Sequence, residues 1–132
     1  MSRIETREAV VFCVYQTDFR LEEKEDQIKI YLSNNPELDE DRDFFITTAL
    51  GVLDNRKELD LKIESFLNNW KIDRLPKIDK AILEVAFYEI LYNDDVPVSV
   101  SINEAVKLAK KYGTDDSSSY INGVLSSFEK SL

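Results

Sequence analysis

The side chains that most often do chemistry in proteins are few in this sequence, and their spacing matches no catalytic or metal site. There is no histidine, so histidine-based triads, helical zinc sites and Glu-x-x-His di-iron sites are excluded. The one cysteine, Cys13, lies in an apolar run and has no partner for a CxxC pair. Gly51, Gly113 and Gly123 are too far apart to form a phosphate-binding loop. We therefore expect no enzyme activity, no catalytic residue, no cofactor and no metal.

Two pairs of adjacent carboxylates are the remaining candidates for acid–base or metal chemistry. They are Asp94-Asp95 and Asp115-Asp116. Both pairs fall in predicted turns, where aspartate is favoured because its side chain hydrogen-bonds to the local backbone. We interpret both as turn residues.

The elements that position these residues are predicted to be helices only. Three glycines and three prolines are few for a chain of 132 residues, which favours long helices. Apolar residues recur at helical spacing in about seven segments, and no convincing strand or repeat occurs. One predicted helix begins at the acids 39–43. The other predicted helices cover residues 4–19, 21–33, 59–70, 76–92, 101–113 and 116–130.

The predicted helix over residues 76–92 is apolar nearly all round, which is typical of a central helix packed on several sides. Glu89 within it is expected to be paired, because a lone buried charge is costly. Trp70 and Cys13 are expected in the core. Ser101 and Glu104 have the spacing of a capping box at the start of the following helix.

The net charge of −9 argues against nucleic acid at first sight, because a polyanion is repelled by an acidic protein. The acids are concentrated, however, since residues 21–60 hold twelve acids and five bases. A basic protein partner would be attracted to such a chain. The sequence has no signal-peptide pattern and no run long enough to span a membrane, so we expect a cytoplasmic protein.

Three motifs carry a resemblance to the family of the transcription antitermination factor NusB. The first is IDKAILEVAFYEI at residues 78–90. The second is VP at residues 96–97 with INEAVKLAK at residues 102–110. The third is YINGVL at residues 120–125, and looser similarity upstream extends the resemblance over almost the whole chain.

The resemblance implies an all-α fold of two small packed bundles, one over about residues 1–56 and one over about 57–132. It also implies binding of boxA-type single-stranded RNA together with NusE, a ribosomal small-subunit protein, within an elongation complex that contains other Nus factors. Such a complex suppresses premature termination, particularly on ribosomal RNA operons. Both monomers and homodimers are compatible with the family.

Carried over residue by residue, the resemblance implies two sets of contacts. The RNA-binding set is Arg3, Arg7, Tyr15, Asp116, Ser117 and Tyr120, and the NusE-binding set is Lys77, Asp79 and Lys80. Each residue also has a structural interpretation: ion pairing for the arginines, core packing for the tyrosines, helix capping for Asp116 and Ser117, and helix-start polarity for the lysines and Asp79.

Arg3 and Arg7 are diluted by Glu5 and Glu8, where family members carry an arginine-rich segment. This leaves an alternative open, a protein-only adaptor that binds NusE with little RNA affinity. A fragment of a ribosomal RNA methyltransferase is a further alternative, since such enzymes carry a related domain. Asn122-Gly123 is placed by the resemblance inside the last helix, where we expect Gly123 to allow close helix approach.

Overall fold

The computed structural model describes residues 1–68 and 70–132, and within these ranges it contains seven α-helices, two 3₁₀ helices and no strand. The prediction of an all-α fold with about seven helices is confirmed. The 3₁₀ helices are Pro36–Asp41 and Ile72–Arg74. The α-helices are α1 (Arg3–Thr17), α2 (Lys24–Asn34), α3 (Arg42–Asp54), α4 (Arg56–Glu64), α5 (Lys77–Tyr92), α6 (Val98–Tyr112) and α7 (Ser117–Lys130).

Prolines mark the start of two helices. Pro76 and Pro97 immediately precede α5 and α6, where the lack of a backbone N–H does no harm.

One predicted helix end is wrong. The helix predicted over residues 59–70 ends at Glu64, and Asn68 beyond it has a φ of 48°. This left-handed conformation is incompatible with a continuing α-helix.

The capping box predicted from Ser101 and Glu104 is also wrong. The helix α6 begins at Val98, so both side chains lie inside it, and both are buried. The Ser101 hydroxyl donates to Glu89 Oε2 at 3.4 Å. Ser101 and Glu104 have the spacing of a capping box, but Pro97 places the start of the helix about one turn earlier.

The helix α5 is the centre of the fold, as its apolar composition predicted. It packs against α1, α3, α4, α6 and α7, and ten of its sixteen residues are buried. Phe87 of α5 stacks on Phe128 of α7 with ring centroids 4.1 Å apart, and Phe66 packs against both rings. The buried core continues across residues 56–57, so the division into two bundles there stays a prediction.

Two glycines permit close approaches, Gly51 of α3 and Gly113 at the end of α6, and Gly123 does not. A Cβ atom at Gly51 would lie 2.2 Å from the ring and hydroxyl of Tyr88 on α5. Gly123 is exposed within α7, and a Cβ atom there would meet nothing within 4 Å. The expected role of Gly123 in helix packing is therefore wrong.

None of the helices described combines the length and the apolar composition that crossing a membrane requires.

Candidate nucleic-acid interface

A groove lies where the 3₁₀ helix Ile72–Arg74, the first turn of α5 and the turn before α7 meet. Its volume is about 360 Å³. Three of the predicted RNA-binding residues and one predicted NusE-binding residue come together in it. The lining residues are Trp70, Arg74, Leu75, Pro76, Asp79, Thr114, Asp116, Ser117 and Tyr120.

Asp79 and Ser117 form the floor of this groove, and both are buried. The Ser117 hydroxyl donates to Asp79 Oδ2 at 2.9 Å and accepts from the Thr114 N–H at 2.9 Å. Asp79 Oδ1 has no hydrogen-bond partner among the described residues. Burial raises the pKa of Asp79, and the hydrogen bond from Ser117 opposes that shift. Ser117 therefore fixes the turn before α7 and the position of Asp79.

Asp116 and Tyr120 form one side of the groove. Asp116 is exposed, and its side chain caps no backbone N–H in the described part of α7. Tyr120 is half-buried, and burial raises the pKa of its phenol. The Tyr120 hydroxyl is covered and meets no hydrogen-bond partner in residues 1–68 and 70–132. Asp116 and the exposed part of the Tyr120 ring are available to a ligand.

Trp70 is on the surface, which corrects the expectation that it belongs to the core. It is 58% exposed and forms the wall of the groove next to Arg74. The chain leaves the helical path after Glu64, so the periodicity that predicted burial does not apply at residue 70.

Arg7 is the predicted RNA-binding residue that the structure supports least. It is 5% exposed, and its guanidinium donates to both carboxylate oxygens of Glu89, at 2.6 Å and 3.1 Å. The pairing predicted for Glu89 is thus confirmed. Arg7 lies on the side of α1 that faces α5, so its charge is used inside the protein and does not reach the surface.

Arg3 is exposed, but it is also paired. Its guanidinium donates to Asp41 at 2.8 Å and 3.2 Å and lies 4.0 Å from the centre of the Phe44 ring. An exposed pair of this kind is worth at most about 1 kcal/mol, so Arg3 can exchange Asp41 for a phosphate.

Tyr15 is half-buried near the end of α1 and is not among the residues that line the groove. Its ring meets the edge of Phe19, with centroids 5.1 Å apart, and Phe19 is 61% exposed. The two rings form a small aromatic surface of their own.

The predicted NusE-binding residues differ in accessibility. Lys77 is exposed at the first position of α5. Lys80 is 7% exposed, and its ammonium lies 3.7 Å from Asp18. Asp79 belongs to the floor of the groove described above. Lys77 is therefore the member of this set that is open to a partner.

A partly buried charge cluster joins α1, α4 and α5, and it was missed in the sequence. Arg56 donates to Glu84 at 3.0 Å and 3.2 Å and lies 3.3 Å from Asp18. Burial, with the neighbouring Glu84 carboxylate, raises the pKa of Asp60 to about 8. Glu84 inside an apolar helix was the available signal, since a charge in that position requires a partner.

The arrangement can be compared with known proteins. A model of the NusB family matches residues 4–130. Transcription antitermination protein NusB from Acetivibrio thermocellus is 40% identical over 125 residues, which are 95% of this chain and 86% of that protein. The protein of the same name from Thermoanaerobacter pseudethanolicus is 42% identical over 129 residues, which are 97% of this chain and 90% of that protein.

Solved structures give the same result. The structure of T. maritima NusB has a TM-score of 0.87 at 32% identity and covers 98% of this chain and 92% of that one. A crystal structure of the antitermination factors NusB and NusE in complex with dsRNA has a TM-score of 0.84 at 22% identity over the full length of both chains, which is a likeness of fold. From its sequence, its helices and its relatives together, this chain belongs to the NusB family.

Proposed function

We propose that this chain is a transcription antitermination factor that binds boxA-type single-stranded RNA together with the ribosomal protein NusE. In that role it promotes full transcription of ribosomal RNA operons in the cytoplasm, within an elongation complex that contains other Nus factors. The observation that carries the proposal is the family match over residues 4–130. Relatives about 40% identical over nearly the whole chain bear the name transcription antitermination protein NusB.

The surface supports an RNA site of modest intrinsic affinity. Asp116 and Tyr120 share one groove wall, where a carboxylate and a half-exposed ring can meet a base edge and a base face. Arg3 supplies a cation elsewhere on the surface. In a chain with a net charge of −9, few phosphates are neutralised, so affinity from counterion release is small.

NusE is expected to supply the missing positive charge. Ribosomal proteins are usually basic, and an acidic surface attracts such a partner and speeds its association. Lys77 is the exposed member of the proposed contact set on this chain. The composite surface then holds RNA through cations of NusE and through Asp116 and Tyr120 of this chain.

A specific observation favours the second candidate, a protein-only adaptor. Arg7 is buried against Glu89, and Arg3 is paired with Asp41. The N-terminal helix therefore offers little free positive charge for a phosphate backbone. An adaptor would keep the NusE contact and bind RNA only through its partner.

The experiment is a fluorescence anisotropy titration of a labelled boxA-type RNA, with and without NusE, across a salt series. The proposal expects specific binding that tightens with NusE and weakens with salt. Tyr120→Ala and Arg3→Ala should weaken it, while Lys130→Ala at the exposed end of α7 is the control. Binding of NusE with no specific RNA signal in the complex would favour the adaptor.

A further inference from the structure

We propose that the groove between Trp70 and Asp79 is a subsite for one unpaired nucleotide whose base carries an exocyclic amino group. Trp70 stacks on the base, Asp79 accepts from the amino group, and the neighbouring cations hold the flanking phosphates. This inference rests on the proposed RNA-binding function. It adds Trp70 and a base preference to that function, and it assigns to RNA the Asp79 that the family resemblance assigned to NusE.

The first observation is an exposed tryptophan on the wall of a concave surface. Trp70 is 58% exposed, and Leu75 and Pro76 continue the apolar wall beside it. The groove, of about 360 Å³, is large enough to hold a nucleobase stacked on the exposed indole. Single-stranded RNA is commonly held by such aromatic platforms.

The second observation is the unsatisfied carboxylate oxygen at the floor. Asp79 is 4% exposed, and its Oδ1 atom has no hydrogen-bond partner in the described residues. A buried acceptor without a donor is unfavourable, so a ligand that brings an N–H group removes that penalty. Because Asp79 lines the groove, we expect its carboxylate to turn toward a ligand there and to exchange the hydrogen bond from Ser117 for one from the ligand.

This chemistry selects among the bases. Adenine, cytosine and guanine each present an exocyclic amino group that donates to a carboxylate. Uracil has no exocyclic amino group, and its ring N3–H lies between two carbonyl oxygens that repel a carboxylate. The subsite is therefore expected to bind uridine more weakly than the three nucleosides whose bases carry an amino group.

The third observation is the local charge. Lys71, Arg74 and Lys77 are all exposed, while Asp73 is the one exposed acid among residues 71–77. None of these three cations forms an ion pair within the described part of the chain. Arg74 lines the groove on the side away from the exposed Asp116, and Lys71 and Lys77 adjoin the lining residues Trp70 and Pro76 in the chain, so a phosphate backbone can approach along residues 71–77.

The rival occupant is a cationic side chain from a protein partner, bound to the Asp79 carboxylate and stacked on Trp70. Arg74 in the lining, with Lys71 and Lys77 next to the lining residues Trp70 and Pro76 in the chain, opposes it by repelling an arginine or lysine that approaches from this side, whereas Asp116 attracts one on the other side. An RNA strand instead gains from the same three cations. The observations therefore favour the nucleotide, and the test below separates the two.

The test is RNA binding by the full chain in complex with NusE, using two variants with matched controls. Trp70→Ala is compared with Tyr92→Ala, because Tyr92 is also an exposed aromatic residue, at 52%. Asp79→Asn is compared with Asp95→Asn, which changes an exposed carboxylate. Circular dichroism melting of each variant checks the fold, since Trp70→Ala removes a side chain that is 58% exposed.

The expected result is that Trp70→Ala weakens binding of boxA-type RNA by a factor of about 5 to 150, the range of one aromatic–base stack. The RNA is then varied one position at a time with inosine for guanosine, purine riboside for adenosine and uridine for cytidine. One such change should weaken binding to the wild type and have a smaller effect on Asp79→Asn, because the neutral amide oxygen accepts a weaker hydrogen bond than the carboxylate does. Both control variants should bind like the wild type.

Three results would overturn the inference. If wild-type complex binds RNA and both Trp70→Ala and Asp79→Asn bind it equally well, the subsite is wrong and the proposed function stands. If these variants lose NusE and keep RNA, the groove holds a cation of the partner. If the wild type binds no specific RNA even with NusE, the proposed function itself fails, and the subsite fails with it.

Discussion

Replacing Glu89 with glutamine should destabilise the protein far more than the same change at an exposed ion pair. Glu89 is 1% exposed and accepts both hydrogen bonds from Arg7, which is 5% exposed. Glutamine has nearly the same shape and keeps an acceptor, but it leaves the Arg7 charge uncompensated. Breaking a buried pair by removing one partner costs about 3–5 kcal/mol.

Water compensates little of the lost charge. The space beside the pair is about 10 Å³, which holds at most one water molecule, and that molecule is neutral. Since one kcal/mol corresponds to about 3–4 °C for a chain of this length, the melting temperature should fall by about 10–20 °C.

The assay is urea unfolding followed by circular dichroism, with Asp41→Asn as the control. Asp41 pairs with the exposed Arg3, so its loss should cost no more than about 1 kcal/mol. The double variant Arg7→Met with Glu89→Leu should recover most of the stability, because it removes both charges and keeps the volume. If Glu89→Gln costs as little as Asp41→Asn, the view that this buried pair joins α1 to α5 is refuted.

The remaining predictions concern single side chains. Burial raises the pKa of Asp60 to about 8, so between about pH 4 and 8 the folded protein holds a proton that the unfolded chain has released, and the free energy of unfolding falls as the pH rises. In urea unfolding, Asp60→Asn should make that fall smaller, and the same pH dependence in the variant and the wild type would contradict the prediction. Gly51→Ala should lower the melting temperature because the added Cβ atom is forced against the Tyr88 ring, whereas Gly123→Ala should raise it through the roughly 1 kcal/mol gain in helix propensity. Equal changes of the melting temperature in the two variants would show that the contact between Gly51 and Tyr88 is unimportant. Burial raises the pKa of the Cys13 thiol to about 12, so it should react with a thiol reagent only in denaturant, and fast reaction of the folded protein would be the contrary result.

Much of the fold was predictable because its signals are local. Pro76 and the apolar run after it identified α5, and the composition of that helix identified it as central. The end of α6 at Gly113 was likewise predicted by a residue type that commonly terminates helices. The burial of Glu89 and its need for a partner followed from the cost of a lone charge in an apolar helix.

The sequence by itself determined the helices, the family and the residue types available to RNA, because periodicity and motifs are properties of neighbouring residues. Which side chains reach the surface was decided by the tertiary structure. Arg7 is buried because α1 turns it toward Glu89, eighty-two residues away in the chain. Trp70 is exposed because the chain leaves its helical path, and Asp79 meets Ser117 because α5 and α7 pack together. Contacts between residues so distant in sequence depend on how helices pack, and no local pattern records that packing.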